Sequence, residues 1–240
     1  MTYDNIVKAK FISRPNRFIA VVNVDGEEIK VHVKNTGRCK ELLIPGCTVY
    51  LEKADNPERK TPYDLIAVEK DGKIINIDSQ APNKVVKEWL ENSGKYSKIQ
   101  PEYKYGNSRI DFYMEKEISG KSCAEEISGS AQAEDMIQPY LMEVKGCTLF
   151  KNGIGYFPDA PTERGTKHLK ELTMALKKGI KTRVAFVIQG EGISEVRPNE
   201  ETDPEFAKAF YEAKNAGVEI VFYLCEVTPD TLKIVSETTL

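Results

Sequence analysis

Five short runs rich in β-branched residues fall in the first eighty residues, at 18–24, 28–33, 47–51, 63–68 and 73–77, with little helical pattern among them. Asp25 with Gly26 and Asp71 with Gly72 are hairpin-turn signals, and Pro45 with Gly46 marks another turn. Five short strands with little helix match a small antiparallel barrel, such as an oligonucleotide-binding (OB) fold. A small sandwich reads the same way at this level.

After residues 78–82 the pattern changes. A helical run at 83–92 puts Val85, Val86, Trp89 and Leu90 on one face, with Gly94 as its stop. Strands are expected at 99–105 and 108–114, then at 140–146, 183–188, 218–224 and 232–235. Residues 153–161 read as a turn-rich loop, and residues 117–135, rich in Gly, Ser and Glu, as a long loop or insertion. Helices are expected at 162–178, with Leu169, Leu172 and Leu176 as the buried stripe, and at 204–215 behind the Asp203 cap. Strands separated by crossover helices imply a mixed sheet covered on both faces. The expected organisation is therefore β + α/β: a small antiparallel barrel over 1–80 and a domain with a mixed central sheet flanked by helices over 81–240.

Charge narrows the function less than the pattern does. Lys and Arg number 34 against 37 Asp and Glu, a formal net charge of -3, so any nucleic-acid binding must come from local basic patches or from metals masking carboxylates. No apolar run is long enough to span a bilayer, and the N-terminal residues lack a signal-peptide pattern. The five cysteines are scattered without a C-x-x-C pair, as expected for free thiols in a cytoplasmic protein. Two histidines are too few for a histidine-built metal site. No P-loop and no dinucleotide-binding glycine fingerprint is present, which leaves little support for a small-molecule enzyme.

The chemistry concentrates at 140–146. Alternation there places Met142 and Val144 on one strand face and Glu143 and Lys145 on the other. Alone, this is an ion pair at a strand end. Asp111, between Ile110 and Phe112 on an earlier strand, adds a second carboxylate. Asp111 and Glu143 can converge on one Mg²⁺ or Mn²⁺, with the Val144 carbonyl and waters completing the shell. Lys145 can then orient the attacking water or stabilise developing charge. Glu102 is a candidate to hold a water or a second ion.

Phosphate contacts are expected from Arg14, Arg17, Asn35 and Arg38 in the first segment, and from Arg109, Arg164 and His168 in the second. A solvated basic rim explains the first group equally well. Arg164 and His168 lie one turn apart on a helix, as do Glu163 and Lys167, and a surface helix accounts for all four. His32, alone in a strand, reads as a packed or hydrogen-bonded residue.

Four runs taken together, NTGR at 35–38 followed by ELL at 41–43, GNSRIDF at 106–112, EVK at 143–145 and FPDAPTERGTKH at 157–168, resemble the sugar fermentation stimulation protein A family over nearly the whole chain. The resemblance implies an OB-like barrel followed by a restriction-endonuclease-like domain of the PD-(D/E)-x-K type. Asp111 then matches the metal-binding aspartate, Glu143 the second acid and Lys145 the lysine. It further implies a DNA-binding protein linked to sugar, especially maltose, metabolism, either nuclease-like or a regulator that keeps the nuclease fold without cutting. DNA is the expected partner, with RNA also open, no membrane partner, and a homodimer not decided by the sequence. The 117–135 run looks longer and more acidic than this connection usually is.

Overall fold

Inward-facing Phe11, Val22, Val31, Val33, Leu51 and Leu65 form the first of the hydrophobic cores, inside a closed barrel. The computed structural model describes residues 1–35, 37–118 and 136–240. The barrel strands are β1 (Ile6–Asn16), β2 (Ile19–Val24), β3 (Glu27–Val33), β4 (Thr48–Lys53) and β5 (Tyr63–Lys70). β1 pairs antiparallel with both β2 and β4, and a short parallel contact between β3 and β5, His32 to Asp64 and Val33 to Leu65, closes the ring. Closure removes the edges that an open sheet of this size would expose.

The barrel was expected, but one of its staves was not. β1 has the period-two signal in Val7, Ala9 and Phe11, with Ala9 and Phe11 buried. Its alternate positions carry Lys8, Lys10 and Arg14, which dilute the apolar signal, and register shifts after Phe11 bend it. Conversely β6 (Lys73–Asn76), expected as a barrel strand, pairs among the described strands with β5 alone and lies outside the ring. Ile75 there bridges to Gly190 of the second segment.

The remaining described elements are α1 (Ala81–Ser93), β7 (Lys98–Tyr105), β8 (Ser108–Ile118), β9 (Met136–Cys147), β10 (Leu149–Lys151), β11 (Ile154–Phe157), α2 (Glu163–Leu176), β12 (Lys181–Ile188), β13 (Val196–Pro198), α3 (Pro204–Ala216), β14 (Glu219–Val227) and β15 (Leu232–Thr239). Six strands form one mixed sheet in the order β15-β14-β12-β9-β8-β7, with β9, β12 and β14 parallel. Val85, Val86 and Leu90 of α1 pack on one face, and Leu169 and Leu172 of α2 with Phe206 and Phe210 of α3 on the other. Continuous burial from Val184 to Ile188 reflects a central strand covered on both sides.

Trp89, expected in the core, is half-buried and donates its indole N–H to Glu237 at 3.3 Å. The turn-rich region at 153–161 is not all loop: β10 and β11 form a hairpin there, and β13 adds to it in parallel. These strands have three or four residues each, too short to show a period. Residues 117 and 118 end β8, and the rest of the 117–135 run lies outside the described residues. No described helix is long and apolar enough to cross a membrane.

Candidate functional site

The ladder between β8 and β9 runs from Ile118↔Met136 to Phe112↔Met142 and stops. One residue further along β8, the Asp111 carboxylate takes the place of a backbone rung. Its Oδ2 accepts the Val144 N–H at 2.7 Å, and its Oδ1 accepts from Asn83 Nδ2 on α1 at 2.8 Å. An amide left orphaned where two strands part is thereby satisfied, and the aspartate is fixed beside the next residues of β9.

Glu143 lies in the buried run of β9, 3% exposed. Its Oε1 accepts from Lys145 Nζ at 2.6 Å and is also in contact with His168 Nδ1 of α2. Its Oε2 is buried with no hydrogen-bond partner among the described residues. Burial works to raise the Glu143 pKa, but the His168 contact and the Lys145 charge outweigh it and hold the carboxyl below its ordinary value. Asp111 goes the other way, raised first by burial and then by the neighbouring Glu143 charge. Two carboxylates therefore stand close enough to repel, one with an oxygen unanswered.

That donor set suits a hard divalent cation, which prefers carboxylate oxygens and would remove both the repulsion and the orphaned atom. Asp111 and Glu143 are the acids that can hold it. Among the described residues no group of three or more His, Cys, Asp or Glu side chains forms a self-sufficient metal cage. Mg²⁺, which keeps several waters and uses one or two carboxylates, fits such a sparse set. Glu102 stands on exposed β7 with its carboxylate 3.6 Å from Arg109, and no hydrogen bond or ion pair ties it to Asp111 or Glu143.

The basic and amide candidates separate into two groups. Arg14 donates to the carbonyls of Arg17, Asn35, Gly37 and Arg38 at 2.6–2.8 Å, so its terminal nitrogens hold the loop together. Asn35 donates to the Ile77 carbonyl at 2.8 Å and accepts the Gly37 N–H at 2.7 Å. His168 is 3% exposed and faces Glu143. Arg17, Arg38, Arg109 and Arg164 are exposed. Lys167 lies 3.7 Å from Glu171, one turn onward, in place of the expected Glu163 partner.

The inward turn of His168 follows from α2 itself. Gly165, His168, Leu169, Leu172 and Ala175 make one buried stripe, while Arg164 falls on the outer face. Thr162 caps this helix, accepting the Gly165 N–H at 3.0 Å, and so sets the phase of the stripe.

Three further residues shape the surroundings. Asn83 orients Asp111, although from sequence it only begins a helix. Gln189, at the end of β12, donates to Asn76 Oδ1 at 2.9 Å and to the Asp78 carbonyl at 3.1 Å, tying the sheet to the segment leaving the barrel. Asp159 accepts the Arg38 N–H at 2.9 Å across 121 positions of chain. Gly37 presses so closely on Asp159 that an added Cβ would collide with its Oδ2.

The sugar fermentation stimulation protein RE domain matches residues 80–231, and the SfsA N-terminal OB domain matches residues 12–77. A sugar fermentation stimulation protein homolog from Clostridium tetani is 50% identical over 238 residues, covering 97% of this chain and 96% of its own. One from Clostridium beijerinckii is 48% identical over 237 residues, 98% and 96% of the two chains. The solved structure of Pyrococcus furiosus SfsA in complex with Ca²⁺ superposes with a TM-score of 0.79 at 27% identity, over 99% of this chain and 96% of that one. With OB barrel and mixed-sheet core both matched along nearly the full length, this chain belongs to the sugar fermentation stimulation protein family.

Proposed function

We propose that this protein binds DNA and hydrolyses phosphodiester bonds at the Asp111–Glu143–Lys145 site with a divalent cation. The observation that carries the reading is the Glu143 carboxylate, whose Oε1 is held by Lys145 and His168 while the buried Oε2 has no hydrogen-bond partner among the described residues, with its charge acting on Asp111. A bound Mg²⁺ or Mn²⁺ supplies polarisation of the scissile phosphate and a water acidic enough to attack it. Asp111 is pinned by Asn83 and the Val144 N–H, which leaves its carboxylate little freedom to turn away. Lys145 holds a positive charge next to Glu143, where it can orient the water and meet the negative charge that builds on the phosphate. The Ca²⁺ complex of the Pyrococcus furiosus relative is in keeping with a family site for hard cations.

A second reading is a DNA-binding regulator that keeps this core without cutting, tied through the family to sugar metabolism. The sparse acid set, with Glu102 engaged by Arg109, favours it. Incubating the parent and Lys145→Ala with DNA, in Mn²⁺ or in chelator, separates the two. Cleavage that needs both Mn²⁺ and Lys145 supports the nuclease. Salt-sensitive binding without cleavage in either condition leaves the regulator. Absence of both activities removes both readings.

A further inference from the structure

Two cavities meet at the Arg14-braced loop. The first, about 310 Å³, lies on the barrel and is lined by Asn16, Arg17, Arg38 and Lys40, with no acidic side chain among the described residues of its wall. The second, about 400 Å³, lies where barrel and core meet and reaches Gly146, the residue after Lys145. Arg17 and Gly37 line both, so the two are consecutive parts of one path. Each is within the ~300–1,000 Å³ range of sites for small molecules, which is the scale of a nucleotide and not of a duplex.

Among the described residues the Arg17 and Arg38 guanidiniums and the Lys40 ammonium make no hydrogen bond or ion pair, and all three side chains are exposed. Arg17 also lies over the exposed Phe18 ring, with its guanidinium carbon 4.7 Å from the centroid. An exposed aromatic capped by an arginine is a platform for a base, and the combination of basic groove and stacking platform is how single strands are held. The junction wall is largely neutral and polar, with Asn35, Thr148, Tyr156 and Gln189, and its acid Asp159 is occupied by the Arg38 N–H.

The width is fixed as well. Gly37 and Arg38 rest against Asp159, so the barrel cannot move off the core at this point without breaking that contact. Arg14 holds four carbonyls of the same region, so the loop cannot flatten to admit a wider ligand.

Resting on the proposed phosphodiesterase reading, we infer that the strand which reaches Lys145 is unpaired DNA, led from an Arg17–Phe18 stacking platform past Arg38 and through the barrel–core junction. Paired DNA enters only where an end frays or a single-stranded overhang precedes it.

The test is fluorescence anisotropy with labelled oligo-dT and a blunt hairpin duplex of equal length, in chelator and in Ca²⁺. The single strand is expected to bind about tenfold or more tightly than the duplex. The Arg17→Ala/Phe18→Ala double variant, checked for folding by its melting temperature, is expected to weaken single-strand binding by roughly tenfold, the loss of one stacked base and a cation. Arg38→Ala gives the independent check, with weaker single-strand binding and a shallower salt dependence. A blunt duplex bound as tightly as the single strand, or variants that bind the single strand like the parent, overturns the path and leaves DNA binding standing. No binding of either DNA under any condition removes the proposed function with it.

Discussion

His168 on α2 and Glu143 on β9 meet Nδ1 to Oε1, with both side chains sealed from solvent. Lys145 approaches the same oxygen at 2.6 Å, so both donors sit on one side of the carboxylate. Among the described residues Oε2 is left without a hydrogen-bond partner, and His168 acts on the acid through the other oxygen, as a positioning residue. His168→Ala is expected to weaken Mn²⁺ binding by about 10–100-fold, the usual cost of losing such a support. His168→Asn, whose amide can reach from near the Nδ1 position, is expected to restore part of it. Calorimetric titration with Mn²⁺ measures both, and an Ala variant with parental affinity would remove the role.

Arg14 holds the loop from which Arg38 projects. Arg14→Ala leaves four carbonyls to find other partners and is expected to destabilise the fold by about 2–4 kcal/mol. Lysine at this position has a point charge in place of a planar fork and should recover little. Urea denaturation of the two variants gives the comparison. Parental stability in Arg14→Lys would mean the charge, not the fork, matters.

Gly37 is a glycine because of what stands opposite. A Cβ there would strike Asp159 Oδ2 and come within 2.8 Å of Asn35 Oδ1, and both oxygens already accept backbone N–H groups. Gly37→Ala is expected to cost about 1–3 kcal/mol by forcing these groups apart. Hydrogen exchange should rise at the Arg38 amide, which loses its acceptor. Unchanged protection there would show that the loop shifts without releasing the contact.

Asp64 makes barrel stability sensitive to acid. It is 5% exposed and is bonded by Arg59 at 2.7 and 3.0 Å and by His32 at 2.8 Å, with Lys34 at 3.5 Å. Burial opposes ionisation, but the Arg59 and His32 hydrogen bonds and the Lys34 charge prevail and lower its pKa from 3.8 to about 2. A depressed folded value means the stabilisation is complete above the unfolded pKa and is lost as pH falls from 3.8 toward about 2. The amount is on the order of 2 kcal/mol. Asp64→Asn should lower stability at neutral pH and flatten this acid limb in pH-dependent thermal melts. A limb as steep as the parent's would assign the acid sensitivity elsewhere.

Much of the fold could be read locally because its signals are local. β2 and β3 show strong β-branched runs, and α3 is marked by the Asp203 cap, Pro204 and Gly217. β1 escaped because lysines occupy its outward positions, and β10, β11 and β13 because three or four residues cannot display a period. At the site, residue type marked Asp111, Glu143 and Lys145, since acid and ammonium at fixed strand spacing are visible in one dimension. His168, expected on the surface of α2 or against phosphate, is instead buried, and its position four residues before Leu172 is the signal that places it on the inward stripe.

The sequence by itself therefore determined the strand and helix inventory in outline, the two-part organisation it leads one to expect, and the acids and lysine on neighbouring strands. Only the tertiary structure decided which polar atoms are free. Arg14, Arg17 and Arg38 are the same residue in composition, yet one is bound to four carbonyls and the others face solvent. Asp159 meets Arg38 across 121 positions of chain, and Asn83 meets Asp111 across 28. Periodicity reports the face a residue occupies on its own element. The partner waiting opposite is set by how separate elements pack, and no local pattern encodes that distance.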